Sequence, residues 1–178
     1  MSWLPGDRRA GDEVKRMIRV NHAGEYGAKR IYAGQLAVLG KSSVAPLLRE
    51  MAAQEEKHLQ TFSQLAAQRR VRPTLLMPLW HVAGFAMGAA TALLGEKAAM
   101  ACTVAVESVI DEHYAQQERV LGDDEADLRS TIGVFRKEEM EHHEIALEHG
   151  AKSSPFYGIL THVIVYQTKL AIWLSTRV

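Results

Sequence analysis

Glu55-Glu56-Lys57-His58 and Glu139-Met140-Glu141-His142 are the two stretches that decide how this chain folds. Each sets a glutamate and a histidine three residues apart, inside a segment that reads as a long helix. At 3.6 residues per turn, positions i and i+3 project from nearly the same face, so one carboxylate and one imidazole can reach a common ion. A lone glutamate precedes each pair by the length of a helix and a turn: Glu25 before Glu55, and Glu107 before Glu139. The interval from Glu55 to Glu139 equals that from His58 to His142, and the interval from Glu25 to Glu107 is shorter by only two positions, so the pattern is an internal repeat. Two helical hairpins follow, each offering one lone Glu and one Glu-x-x-His. Carboxylate-bridged dimetal sites in four-helix bundles are built from that ligand set. Glu25, Glu55, His58, Glu107, Glu139 and His142 are therefore the expected metal ligands. The competing reading, glutamates pairing with cations on solvated faces, leaves the doubled register unexplained.

Working outward, 178 residues suffice for one domain with a sizeable core. Residues 1–178 read as that domain, with 1–11 a flexible lead. Basic and acidic residues balance at 21 each, which gives no nucleic-acid footprint. The one cysteine, Cys102, excludes an internal disulfide framework and sits in an apolar run, as a buried structural thiol. Met1 to Gly11 has no apolar segment of the secretory kind, and no acid-poor amphipathic leader is visible. A cytoplasmic or already-processed protein is expected.

No stretch alternates with period two, so the chain reads as all-α. The first helix starts at Asp12 or the turn before it and stops at Gly40. Small residues around Glu25, among them Gly24, Gly27 and Gly34, predict close approach of a neighbouring helix or room for a ligand. Ser42 or Ser43 caps a second helix to about Arg70. Further helices are expected at about Lys97–Leu121 and from the Gly122-Asp123-Asp124 turn to about His149. Ser153-Ser154-Pro155 reads as the cap and first turn of the last one. Four metal-bearing helices form the bundle, and two apolar helices, Pro73–Gly95 and Pro155–Leu174, are additional. Pro73–Gly95 holds no charged side chain anywhere along it and is long enough to cross a bilayer. A single crossing would place the two ligand hairpins on opposite sides of the membrane, so it is rejected. The segment is either a buried core helix or one that lies in a membrane interface or lines an apolar substrate tunnel. Arg69, Arg70, Arg72 and Trp80 suit an interfacial anchor.

Glutamate and imidazole suit iron or manganese rather than a thiolate zinc site. The repeat selects His142 over His143. Glu56, Glu138 and Glu141 fall on other faces and read as solvated. Tyr32 and Tyr114 each follow a lone glutamate at the same spacing, about two turns, so they share its face. They are candidates for hydrogen bonds to the ligands or for electron relay, against ordinary core tyrosines. Asp111 is a possible partner of a ligating histidine. His22, His81, His113, His149 and His162 have no repeated partner and read as structural or surface residues.

At this point the chain resembles a known family. Arg19-Val20-Asn21-His22-Ala23-Gly24-Glu25-Tyr26-Gly27-Ala28, Arg30-Ile31-Tyr32-Ala33-Gly34-Gln35, Arg70-Val71-Arg72-Pro73-Thr74, Leu76-Met77-Pro78-Leu79-Trp80, Ala101-Cys102-Thr103-Val104-Ala105-Val106-Glu107 and Glu138-Glu139-Met140-Glu141-His142-His143 resemble the demethoxyubiquinone hydroxylases, the Coq7 family. The resemblance runs from about residue 14 to the end. It implies a ferritin-like di-iron monooxygenase that hydroxylates the ring of a polyprenylated demethoxyubiquinol with dioxygen, late in ubiquinone biosynthesis. The family's ligands fall on the six residues named above, without departure.

The resemblance also implies two iron ions and peripheral attachment to a membrane. That membrane is the bacterial one on its cytoplasmic face, or the mitochondrial inner membrane on its matrix side. A Coq9-type lipid-binding partner, a homo-oligomer and NADH as electron donor belong to the same expectation. Lys169, Trp173 and Arg177 lie four apart on one face and, with Arg16, are candidates for holding the nicotinamide nucleotide; snorkelling beside lipid is the alternative. Iron storage, peroxide removal or a metal-retaining membrane scaffold are the competing functions. The apolar segments oppose a soluble storage shell, and the complete ligand set opposes an inert scaffold.

Overall fold

The computed structural model describes residues 10–178. Six α-helices run in the order α1 (Ala10–Leu39), α2 (Ala45–Gln68), α3 (Met77–Leu93), α4 (Glu96–Val120), α5 (Ala126–Glu148) and α6 (Tyr157–Ser175), with 3-10 turns at Asp123–Glu125 and Ala151–Ser153. No strand occurs among the described residues. The flexible lead expected at 1–11 lies outside the described residues except for Ala10 and Gly11, which begin α1.

Several helix ends differ from expectation. Neither Ser42 nor Ser43 caps α2. Val44 occupies that position, Pro46 stands in the first turn, and the Ser43 hydroxyl donates instead to Glu96 at the start of α4. The last helix begins at Tyr157, because Ala151–Ser153 forms a separate turn and Phe156 adopts a left-handed conformation (φ 55°). Gly150 ends the preceding helix at φ 84°, a conformation that costs a residue with a Cβ about 1–2 kcal/mol.

α1 pairs with α2, and α4 with α5, as two hairpins that form a ferritin-like bundle. The apolar core divides into layers along it. Ile18, Phe62, Tyr114, Leu128, Ile132 and Phe135 fill one end. Tyr32, Leu48, Met51, Met100, Val104 and Ala146 fill the other. The Glu-x-x-His turns lie between these layers in the chain, so their polar atoms are sealed from water at both ends.

α3 packs on α1 and α6 packs on α4, outside the bundle. The α1–α3 approach is backbone to backbone. A Cβ on Gly88 would collide with the Ile31 carbonyl, one on Gly34 with the Phe85 carbonyl, and one on Gly84 would lie 2.8 Å from the Gly27 carbonyl. Close approach thus accounts for Gly34. Gly24 and Gly27 serve the other expectation, room for a ligand: both line an apolar cavity of about 610 Å³ between α1, α3, α4 and α6. No described helix is long and apolar enough to cross a membrane. α3 is not a buried core helix either, since Leu79 and Val82 face outward at 51% and 65% exposure.

Candidate metal centre

The six expected ligands converge. Glu25, Glu55, His58 and Glu139 form one group, and Glu55, Glu107, Glu139 and His142 form a second, each with ligand atoms within 4.8 Å of one another. All six side chains are at most 3% exposed. Glu55 and Glu139, the glutamates of the two Glu-x-x-His turns, belong to both groups. Glu25 and His58 complete one end, and Glu107 and His142 the other.

Each imidazole turns Nδ1 inward and Nε2 outward. His58 Nδ1 lies 3.0 Å from Glu139 and 3.5 Å from Glu25, and His142 Nδ1 lies 3.2 Å from Glu139 and 3.4 Å from Glu55. Outward, His58 Nε2 donates to the Glu138 carboxylate at 2.6 Å, and His142 Nε2 donates to the Gln54 side-chain oxygen. Glu138, expected to be solvated, is thus bound to a ligand. Gln54, which the sequence reading missed, is its counterpart in the first half of the repeat. The tyrosines cross between the hairpins: Tyr114 donates to Glu25, and Tyr32 donates to Glu107 at 3.4 Å.

Four carboxylates in a dry space repel one another. Burial, followed by the neighbouring carboxylates, pushes Glu55 and Glu107 well above the ordinary carboxylate range, and burial also raises Glu25. Burial alone would raise Glu139 too, but hydrogen bonds from His142 and His58 outweigh it and hold the group at about 2. For His58, burial opposes the charged ring, yet its bonds to Glu139 and Glu25 lift it to about 12. Both oxygens of Glu55 are buried with no hydrogen-bond partner. Orphaned carboxylate oxygens at the shared position fit a pair of cations, whose charge would replace protons held by the metal-free chain.

Comparison with known proteins shows the family. The family model for Ubiquinone biosynthesis protein COQ7 matches residues 12–175. This chain belongs to the COQ7 family. A 3-demethoxyubiquinol 3-hydroxylase of Rhodospirillum rubrum is 58% identical over 176 residues, covering 98% of this chain and 83% of the relative. The NADPH-dependent 3-demethoxyubiquinone 3-hydroxylase, mitochondrial, of Homo sapiens is 54% identical over 168 residues, covering 92% and 77%. The 5-demethoxyubiquinone hydroxylase, mitochondrial, of Saccharomyces cerevisiae is 42% identical over 182 residues, covering 93% and 78%.

Other candidates fall elsewhere in this COQ7 chain. Asp111 does not reach a histidine; it pairs with Arg136 at 2.6 Å, beside Glu118. His143 lies outside both ligand groups. His113 receives a hydrogen bond from Gln117, which also pairs with Asn21, and burial lowers His113 to about 4. Lys169 is drawn to Glu112 at 2.8 Å, Arg177 stacks on Trp173 with its guanidinium 3.7 Å from the ring centre, and Arg16 is half-buried on α1. Cys102 is fully buried, and burial pushes its thiol up to about 12, as suits an inert core residue.

The charge balance sets a pH dependence for the metal-free chain. A histidine raised from 6.5 to about 12 gives stability that is complete below 6.5 and lost as pH rises above it. The raised carboxylates act with the same sign, because they ionise freely only in the unfolded chain. Glu139 acts oppositely, its contribution being lost as pH falls toward 2. The chelated protein should therefore melt at progressively lower temperature from pH 6.5 to 8.5. Metal-loaded protein should show a flatter dependence in the same scan. A melting temperature of the chelated protein that rose over this interval would contradict the charge assignment.

Proposed function

We propose that this chain hydroxylates the ring of a polyprenylated demethoxyubiquinol, a late step of ubiquinone biosynthesis, at a di-iron centre held by Glu25, Glu55, His58, Glu107, Glu139 and His142. The observation that supports it best is the juxtaposition of two overlapping Glu/His groups with an apolar cavity walled by their immediate chain neighbours, Gly24 and Val106. When bound, two irons supply the reducing power that activates dioxygen for transfer of one oxygen atom to an electron-rich ring.

The chain's own residues have three tasks. Glu138 and Gln54 fix the imidazole orientations from outside, and Tyr114 and Tyr32 fix two carboxylates. The apolar layers exclude water from the centre. The cavity, lined by groups such as Ile31, Met87 and Ile164, suits a prenyl chain, with Thr91, Gln167, Thr168 and Ser175 as polar exceptions. Several mitochondrial relatives, that of Homo sapiens among them, are named NADPH-dependent, which supports a reduced nicotinamide nucleotide as donor, the class to which the expected NADH belongs.

Incubating iron-loaded protein with demethoxyubiquinol, reductant and 18O-labelled dioxygen tests this reading. One labelled atom should enter each product ring. A new ring oxygen drawn wholly from water would rule out the oxygenase.

The substrate's insolubility requires access from a lipid surface. Exposed Leu79 and Val82 on α3 and Ile159 and Val163 on α6 provide an apolar face. Arg70 and Arg72 are exposed at its edge, whereas Arg69, expected among the anchors, is tied to Glu125 at 2.6 and 2.7 Å. Burying a Leu or Val side chain is worth about 1.5–3 kcal/mol. The double variant Leu79→Glu, Val82→Glu should thus lose at least about 100-fold in partitioning to anionic vesicles, with iron content unchanged. Undiminished sedimentation with vesicles would exclude this face as the membrane contact.

A further inference from the structure

The two ends of the metal centre are equivalent in their ligands and unequal in what stands behind them. His58 on α2 is backed by Glu138 of α5, and His142 on α5 is backed by Gln54 of α2. Gln54 and Glu138 occupy the same place in the repeat, each immediately before the shared glutamate of its own helix. One is an anion and the other a neutral amide. The rings are also packed differently: His58 stacks on Phe135 at 4.0 Å, while His142 meets Tyr32 edge-on at 6.3 Å.

A carboxylate that accepts the outer N–H of an imidazole raises the basicity of the inner nitrogen, through partial proton transfer and through its charge. An amide oxygen does so less. We infer that Glu138 and Gln54 are positioning residues that make the two metal positions unequal, so that the Glu25/His58 end binds a divalent ion first and more tightly than the Glu107/His142 end. Exposure of 37% at Glu138 screens its charge without breaking a bond of 2.6 Å. This inference rests on the dimetal reading above.

Anaerobic titration of chelated full-length protein with Fe²⁺ tests it, followed by Mössbauer spectra after one equivalent of 57Fe²⁺. Wild type should bind two ions in two resolved steps, and one equivalent should give a single quadrupole doublet. Glu138→Gln should weaken the first step by about 10-fold or more, merge it with the second and give two doublets at one equivalent. Gln54→Glu should strengthen the second step toward the first, which loss of structure could not do. Two irons bound to wild type in equal steps would overturn the inference and leave the dimetal reading standing. So would a Glu138→Gln variant with an unchanged first step. No Fe²⁺ binding by wild type would overturn both.

Discussion

Glu55→Leu is expected to abolish turnover and to make the metal-free protein more stable. Glu55 is fully buried, neither oxygen has a hydrogen-bond partner, and the group belongs to both ligand sets. Without metal it is a buried acid that burial and the neighbouring Glu139 and Glu25 make hard to ionise. A buried polar group left unsatisfied costs about 1–3 kcal/mol, which an apolar side chain of similar volume relieves. With metal the sign should reverse, because both ligand groups would lose a carboxylate that could hold an ion. The loss of turnover should exceed the ~100-fold typical of removing a residue that merely supports a ligand. Three measurements decide: melting of the chelated variant, iron per chain, and product formed. A variant that keeps two irons and full turnover would remove Glu55 from the centre.

Gly27→Leu should have the second largest effect, by blocking the cavity and not the metals. A Cβ at Gly27 meets no atom within 4 Å, and Gly27 lines the cavity. The helix gains about 1 kcal/mol from losing an interior glycine, and the new side chain fills apolar space. Melting temperature should rise, iron content should match wild type, and turnover of the polyprenyl substrate should fall at least about 100-fold, since an occupied pocket forfeits the binding energy that orients the ring. Gly88→Leu is the contrasting case, because its Cβ would strike the Ile31 backbone and push α3 off α1. Full turnover by Gly27→Leu would place the substrate elsewhere.

The convergence of the six candidate ligands was legible because a Glu-x-x-His pair is an intrahelical relation. Spacing along one chain segment fixes which side chains share a face, whatever the helix packs against. The offset common to the two Glu-x-x-His pairs then selected His142 from its neighbour His143. Helix identities were legible for the same reason, from local pattern and breakers. Their ends were less so: Ser43 had the chemistry of a cap, but a tertiary partner, Glu96, took its hydroxyl.

What the sequence could not determine lies between helices. That Glu55 and Glu139 are the shared carboxylates depends on α2 facing α5 across the bundle. Periodicity along α5 alone sets Glu138 off the ligand face, and only the crossing with α2 brings His58 Nε2 to 2.6 Å from it. Gln54 shared the offset of the ligands, but a glutamine paired with a glutamate in the repeat does not match by residue type. Asp111 was one turn from a ligand and still found Arg136, on the neighbouring helix, before any histidine. Periodicity along a helix is a property of covalent geometry and is set by sequence spacing. Partnership across helices is set by crossing angle and depth of approach, as the glycine contacts of Gly34 and Gly88 with the facing backbone show where α3 meets α1.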